Sequence, residues 1–199
     1  MSATIQRHAV GVTWHESAGM ARAAHAVADG ERVWLIDPFE DAAALEAAAE
    51  LGTPAGVLQL LDRHQRDGEA IAQRLGVPLT RLPSALPDTP FEVQSVVNRR
   101  WWKEIALWWP AQRTLIVAEA LGTVELFALG RPAGVHPMLR MVPPRAALSG
   151  FGPERLLVGH GPALETGAAA AVDGALAHSR SDMPKLLRSL PSVLRGASG

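Results

Sequence analysis

Leu61-Asp62-Arg63-His64-Gln65-Arg66-Asp67-Gly68 follows an apolar run, Ala55 to Leu61, and leads into a short helix that closes as Leu75-Gly76-Val77-Pro78. The apolar run has the length of a buried strand. The helix carries Ala70, Ile71 and Leu75 as its apolar positions, with Gly76 as its stop. This charged octet therefore sits between a strand and a helix. Upstream, Val33-Trp34-Leu35-Ile36 is a compact buried-strand run ended by Asp37-Pro38, and Asp41 to Leu51 is a helix stopped by Gly52. Short apolar runs alternating with helices are the pattern of mixed α/β proteins.

Downstream, Val77-Pro78-Leu79 reads as a short strand, and Pro83, Pro87 and Pro90 mark a loop over 80–90. Val93–Val97, Ile105–Trp109 and Thr114–Ala118 read as antiparallel strands, with Pro110–Arg113 a tight turn between the last two. A second proline-rich loop covers 130–144. Arg145–Leu148 begins a short helix, Leu156-Leu157-Val158 is a strand ending at Gly159-His160-Gly161, and two helices follow, Leu164–His178 and Pro184–Leu194. In the last helix Leu186, Leu187, Leu190, Val193 and Leu194 share one face, which would pack on a sheet or join a second copy, and Pro191 should interrupt or kink it.

With 199 residues, 48% of them hydrophobic, the chain is expected to form one domain over 1–199 with a real core. Nineteen basic against 20 acidic residues offer no footprint for nucleic acid or an anionic membrane. Cysteine is absent, which excludes disulfides, thiolate nucleophiles and cysteine metal sites. No stretch has signal-peptide or membrane-spanning character, so cytoplasmic residence is the default expectation. Serine-nucleophile, P-loop and dinucleotide fingerprints are absent from the sequence.

Five segments taken in order resemble those of the metallo-β-lactamase superfamily: Leu35-Ile36-Asp37-Pro38, the octet 61–68 with its Leu-Gly-Val-Pro helix end, Glu104–Pro110, Thr114–Glu119, and Leu157-Val158-Gly159-His160-Gly161-Pro162. The resemblance spans roughly residues 30–180 and implies an α+β fold, a small four-layer αββα sandwich. It also implies a metal motif, H-x-H-x-D-H, where this chain has Asp62, His64, Arg66 and Asp67. The third histidine position falls on Arg100, or on Arg99 with a one-residue shift. The bridging aspartate position holds Glu119, and the last histidine is His160.

A catalytic zinc needs imidazoles and carboxylates at about 2.0–2.2 Å with one position open, and arginine cannot lose its proton to serve as a ligand. Arg66 and Arg100 are therefore expected to bring fixed positive charge into the former metal cavity, paired with Asp62, Asp67 and Glu119. On this reading no metal is bound and the protein acts by binding a small molecule or a protein. The rival reading keeps zinc, manganese or iron on His64, Asp67, Glu119 and His160, with hydrolysis of an ester, thioester, lactone or phosphoester. A third reading is a structural subunit, a homodimer for example, joined through a tryptophan-bearing face.

Plainer roles stand beside these. His64 would be a hydrogen-bonded histidine at a strand end, Asp67 a helix N-cap, and His160 a turn residue. Trp102, Glu104, Ala106 and Trp108 should share one strand face and Trp101, Lys103, Ile105, Leu107 and Trp109 the other, chiefly as core. His8, His15, His25, His136 and His178 are expected at the surface or in loops.

Overall fold

The computed structural model describes residues 3–196. Its first sheet has six strands in chain order: β1 (Thr4–His8), β2 (Gly11–His15), β3 (Ala23–Asp29), β4 (Arg32–Ile36), β5 (Thr53–Gln59) and β6 (Leu79–Arg81). The first four are antiparallel neighbours, whereas β4, β5 and β6 run parallel. The parallel crossovers are made by α1 (Ala42–Ala49) and α2 (Gly68–Leu75), as parallel pairing requires. Asp41 caps α1 through its side chain at Ala44 N (3.0 Å), and Gly76 ends α2 with φ 69°.

The second sheet is ordered β12-β9-β8-β7, with β7 (Glu92–Arg99), β8 (Trp102–Trp109), β9 (Thr114–Val117) and β12 (Arg155–Val158). A two-stranded piece, β10 (Leu121–Gly122) with β11 (Gly134–Val135), and the short helices α3 (Glu125–Ala128) and α4 (Arg145–Leu148) fill the long connections. The chain ends with α5 (Ala168–His178) and α6 (Met183–Gly196).

The two sheets face each other across one apolar core. Trp34, Ile36 and Leu58 from the first pack with Leu107, Trp109 and Ile116 from the second, and α5 adds Val172 and Leu176. A second cluster joins Val12, Leu35 and Val57 of the first sheet to Ala44 and Ala48 of α1 and Ile71 of α2. Phe91 bridges the sheets, edge-on to both Trp34 and Trp109. Helices outside and sheets inside make the expected αββα sandwich.

Several expectations need correction. Residues 4–29, left without strands above, form the β1–β3 meander. Its faces are masked in sequence by Thr13, His25, Ala23, Ala24 and Ala26, all of which are buried. Trp102, Trp109 and Glu104 are buried as core, but Trp101 is 52% exposed because it sits in the turn after β7. In α6, Leu186 is buried and Leu187 is 62% exposed, so the two do not share a packed face. The helix runs past Pro191, and the side chains of Leu190, Val193 and Leu194 lie outside those described. No described helix is long and apolar enough to cross a membrane.

Candidate metal centre

The centre is assembled from strand ends. Asp37 terminates β4 with φ 45°, and its Oδ1 accepts from Leu60 N (2.9 Å) just past β5. Its Oδ2 lies 2.9 Å from His64 Nδ1. A carboxylate only accepts, so Nδ1 carries the hydrogen and Nε2 presents its lone pair inward. Burial keeps the His64 imidazole below its usual pKa against the opposing pull of Asp37.

His160 follows β12 between two glycines that the site requires. A Cβ at Gly159 would lie 2.1 Å from Ala118 O, and Gly161 has φ +99° with Thr123 pressed against it. His160 Nδ1 donates to Met20 O at 2.9 Å, so its Nε2 is also the free nitrogen. That atom has no hydrogen-bond partner and faces Glu119 Oε1 across 3.5 Å.

Glu119 lies just past β9. Its backbone N–H and that of Ala120 both donate at 2.7 Å to Oε1 of Glu104, whose Oε2 accepts from Trp102 Nε1 at 2.8 Å. Burial lifts the Glu104 carboxyl to about 7 although these three donors oppose it. Glu119 Oε2 accepts from Arg63 at 2.8 Å. Burial raises the Glu119 carboxyl, but His160 and Arg63 outweigh it and bring it down to about 2. The Arg63 guanidinium lies 4.2 Å over the Trp102 ring.

Ligand atoms of His64, Glu119 and His160 all fall within 4.8 Å of one another, a set that can hold one metal ion. Arg66 intrudes on it. With φ 42°, its guanidinium donates through Nη1 to Ala23 O and to Asp37 O (2.8 Å), and through Nη2 to Gly159 O (3.3 Å). Nη2 also stands 3.5 Å from His64 Nε2.

Solved structures match this architecture. The DIM-1 metallo-β-lactamase exposed to ceftazidime aligns with TM-score 0.62 at 12% identity, over 91% of this chain and 98% of that one. The mono-zinc form of the metallo-β-lactamase FIM-1 from Pseudomonas aeruginosa aligns with TM-score 0.61 at 10% identity, over 92% and 97%. The chain has the metallo-β-lactamase fold. No protein-family model matches the sequence, and no curated protein does.

Within this metallo-β-lactamase fold the expected site residues separate into two groups. His64, Arg66, Glu119 and His160 come together. Asp62 turns aside to accept from Lys103 N at 2.9 Å. Asp67 holds the N-cap position of α2 but its side chain makes no cap bond there; its Oδ2 instead accepts from Glu40 N at 2.8 Å, and it does not join the ligand set. Arg100, and Arg99 before it, are exposed at the tip of the β7–β8 hairpin and do not join the ligand set. The expected pairing of Arg66 and Arg100 with Asp62, Asp67 and Glu119 is therefore not what forms. Arg66 is held by carbonyls, and Arg63 takes Glu119.

The sequence reading passed over Arg63, Glu104 and His136. His136, expected in a surface loop, packs edge-on against Trp102 and Phe127, and burial lowers its imidazole to about 4. Its Nδ1 accepts from Met138 N. No motif marks it; only its lone position among prolines and apolar residues hinted at it. His25, also expected outside, is buried on β3.

The donor atoms thus suit one metal in geometry, but the charges do not. The one carboxylate of the ligand set, Glu119, is already paired with Arg63, and the Arg66 guanidinium, bonded to the Asp37 backbone carbonyl, stands 3.5 Å from His64 Nε2. An ion on His64 Nε2 at about 2.1 Å would sit a few ångströms from the Arg66 cation, a repulsion on the order of several kcal/mol at a protein's effective dielectric. Cavities lie to either side. One of about 510 Å³ is lined by Glu16, Arg22, Phe39, Glu40 and Asp67, and one of about 340 Å³ by Leu82, Val93, Lys103 and Glu104. Neither is lined by His64, Glu119 or His160.

Proposed function

We propose that this metallo-β-lactamase-fold protein has exchanged the metal centre for a network of side-chain ions, and that it acts by binding a ligand rather than as a zinc hydrolase. The observation that carries this reading is the Arg66 guanidinium, fixed by the carbonyls of residues 23, 37 and 159 and set against His64 Nε2. Two of those carbonyls, at 37 and 159, belong to the segments that deliver Asp37 and His160, and the third, at 23, opens β3, so Arg66 ties together what a metal would tie. Arg63 does the same for Glu119 from the rim.

Thermal unfolding with and without a strong chelator tests the idea. Structural metals contribute directly to folding free energy. A network of side-chain ions predicts the same melting temperature in both conditions, and a fall of several degrees in chelator would refute it.

One observation favours a second reading. His160 Nε2 is buried, unpartnered and aimed at the same point as His64 Nε2 and Glu119 Oε1. Two histidines and a carboxylate with an open position are a mononuclear hydrolase set. On that reading, metal-dependent cleavage of an activated ester or thioester should appear with added zinc or manganese and vanish in His160→Ala.

A further inference from the structure

The tip of the β7–β8 hairpin is built against its own turn chemistry. Arg99 pairs with Trp102 across the strands, so Arg100 and Trp101 form a two-residue turn. Such turns favour Asn-Gly or Gly-containing pairs with positive φ, yet neither residue here has positive φ. The turn geometry does not call for a tryptophan, and Trp101, though edge-on to Trp102 at 5.9 Å, is left 52% exposed while Trp14, Trp34, Trp102 and Trp109 are buried. A residue choice that a turn does not need points to a role outside folding.

The surroundings of that ring are cationic. The Arg99 guanidinium lies 5.7 Å over Trp101, and Arg100 and Lys103 are exposed beside it. Arg63 donates to Trp101 O at 3.2 Å, which fastens the tip to the motif loop and to the rim of the centre. Lys103 N and Asp62 Oδ2 add a second tie at 2.9 Å. Four cations therefore meet two carboxylates, Asp62 and Glu119, in a chain whose overall net charge is −1.

We infer that the hairpin tip binds a small anion carrying a flat ring, of the nucleoside phosphate class, with the ring stacked on Trp101 and the anion held by Arg99, Arg100 and Lys103. Stacking on an exposed aromatic and pairing with arginine are separable contributions to such binding. A membrane surface is the weaker fit, since insertion scales with buried apolar area and the tip offers a single large apolar side chain. The proposal supplies a ligand class for the binding role above and rests on that reading for its placement at the rim of the centre. It does not depend on metal content, which is measured separately.

Calorimetric titration of the full chain with ADP, adenosine and inorganic pyrophosphate tests it. ADP should bind at least about tenfold tighter than either of the others, a margin set by one stacked ring. Trp101→Ser should weaken ADP by about the same factor and leave pyrophosphate unchanged; the side chain is exposed, so the fold should survive. Arg99→Ser with Arg100→Ser should weaken both anions and flatten their salt dependence. The inference is overturned if ADP binds no tighter than pyrophosphate, if Trp101→Ser leaves ADP binding intact, or if the tip binds anionic phospholipid vesicles and not ADP.

Discussion

At the scale of single residues, two arginines define this protein, and they should respond differently to removal. Arg66 is half-buried, and its guanidinium serves three carbonyls and the edge of His64. Arg66→Met leaves three carbonyls without this donor, at about 1 kcal/mol or more each, so the loss should be about 3 kcal/mol. For a chain of this size that corresponds to roughly 10 °C in thermal melting. A drop of only a degree or two would mean the network contributes little. Arg63 is different, being exposed at the rim with a carboxylate partner. Arg63→Ala should cost about 1 kcal/mol or less, but it uncovers Glu119 Oε2 and shifts the local charge by one unit. Its diagnostic effect is on metal: equilibrium dialysis should find zinc affinity higher in Arg63→Ala than in the parent chain.

At the scale of elements, the centre depends on how β12 ends and how β3 is filled. Gly159 and Gly161 let the chain pass within contact of Ala118 and Thr123 and so aim His160. Gly161→Ala should destabilise by about 2 kcal/mol or more, through positive φ and steric overlap together, and denaturant unfolding would register it. Beneath β3 runs a hydrogen-bonded chain in which His8 Nε2 meets Thr13 Oγ1 at 3.1 Å, Thr13 meets His25 Nδ1 at 2.8 Å, and His25 Nε2 donates to Val158 O at 3.2 Å. Burial, reinforced by His8 and Arg66, lowers His25 to about 3 from the model-peptide 6.5. The folded chain therefore binds fewer protons than the unfolded one between those values. The stability His25 contributes is complete above about pH 6.5 and is lost as the pH falls toward about 3. Melting temperatures measured from pH 7 down to 4 should fall, and His25→Gln should flatten that slope. An unchanged slope would place the acid sensitivity elsewhere.

At the scale of the whole molecule, the sandwich was legible where local signals were strong. Ile36-Asp37-Pro38, the Gly76 stop of α2 and the Gly159-His160-Gly161 turn each combine a strand or helix end with the residue that ends it. The β1–β3 meander was not legible, because β2 and β3 are buried on both faces and mix Val12, Trp14 and Val27 with alanine, Thr13 and His25, which leaves no alternating pattern. Of the centre, His64 and His160 could be read in the sequence, and so could the arrival of one arginine. The partners of that arginine could not. A guanidinium chooses between carboxylates and carbonyls by where the backbone ends point, which spacing along the chain does not encode, and Arg100 falls at a hairpin tip that only strand register locates. The proposed loss of the metal turns on charge: Arg63 pairs with Glu119, and the Arg66 guanidinium stands 3.5 Å from His64 Nε2. Equilibrium dialysis of chelator-stripped protein against micromolar zinc, with the bound metal counted per chain, measures this directly. The account predicts well below one ion per chain, whereas one full equivalent retained, and lost in His64→Ala and His160→Ala, would contradict it.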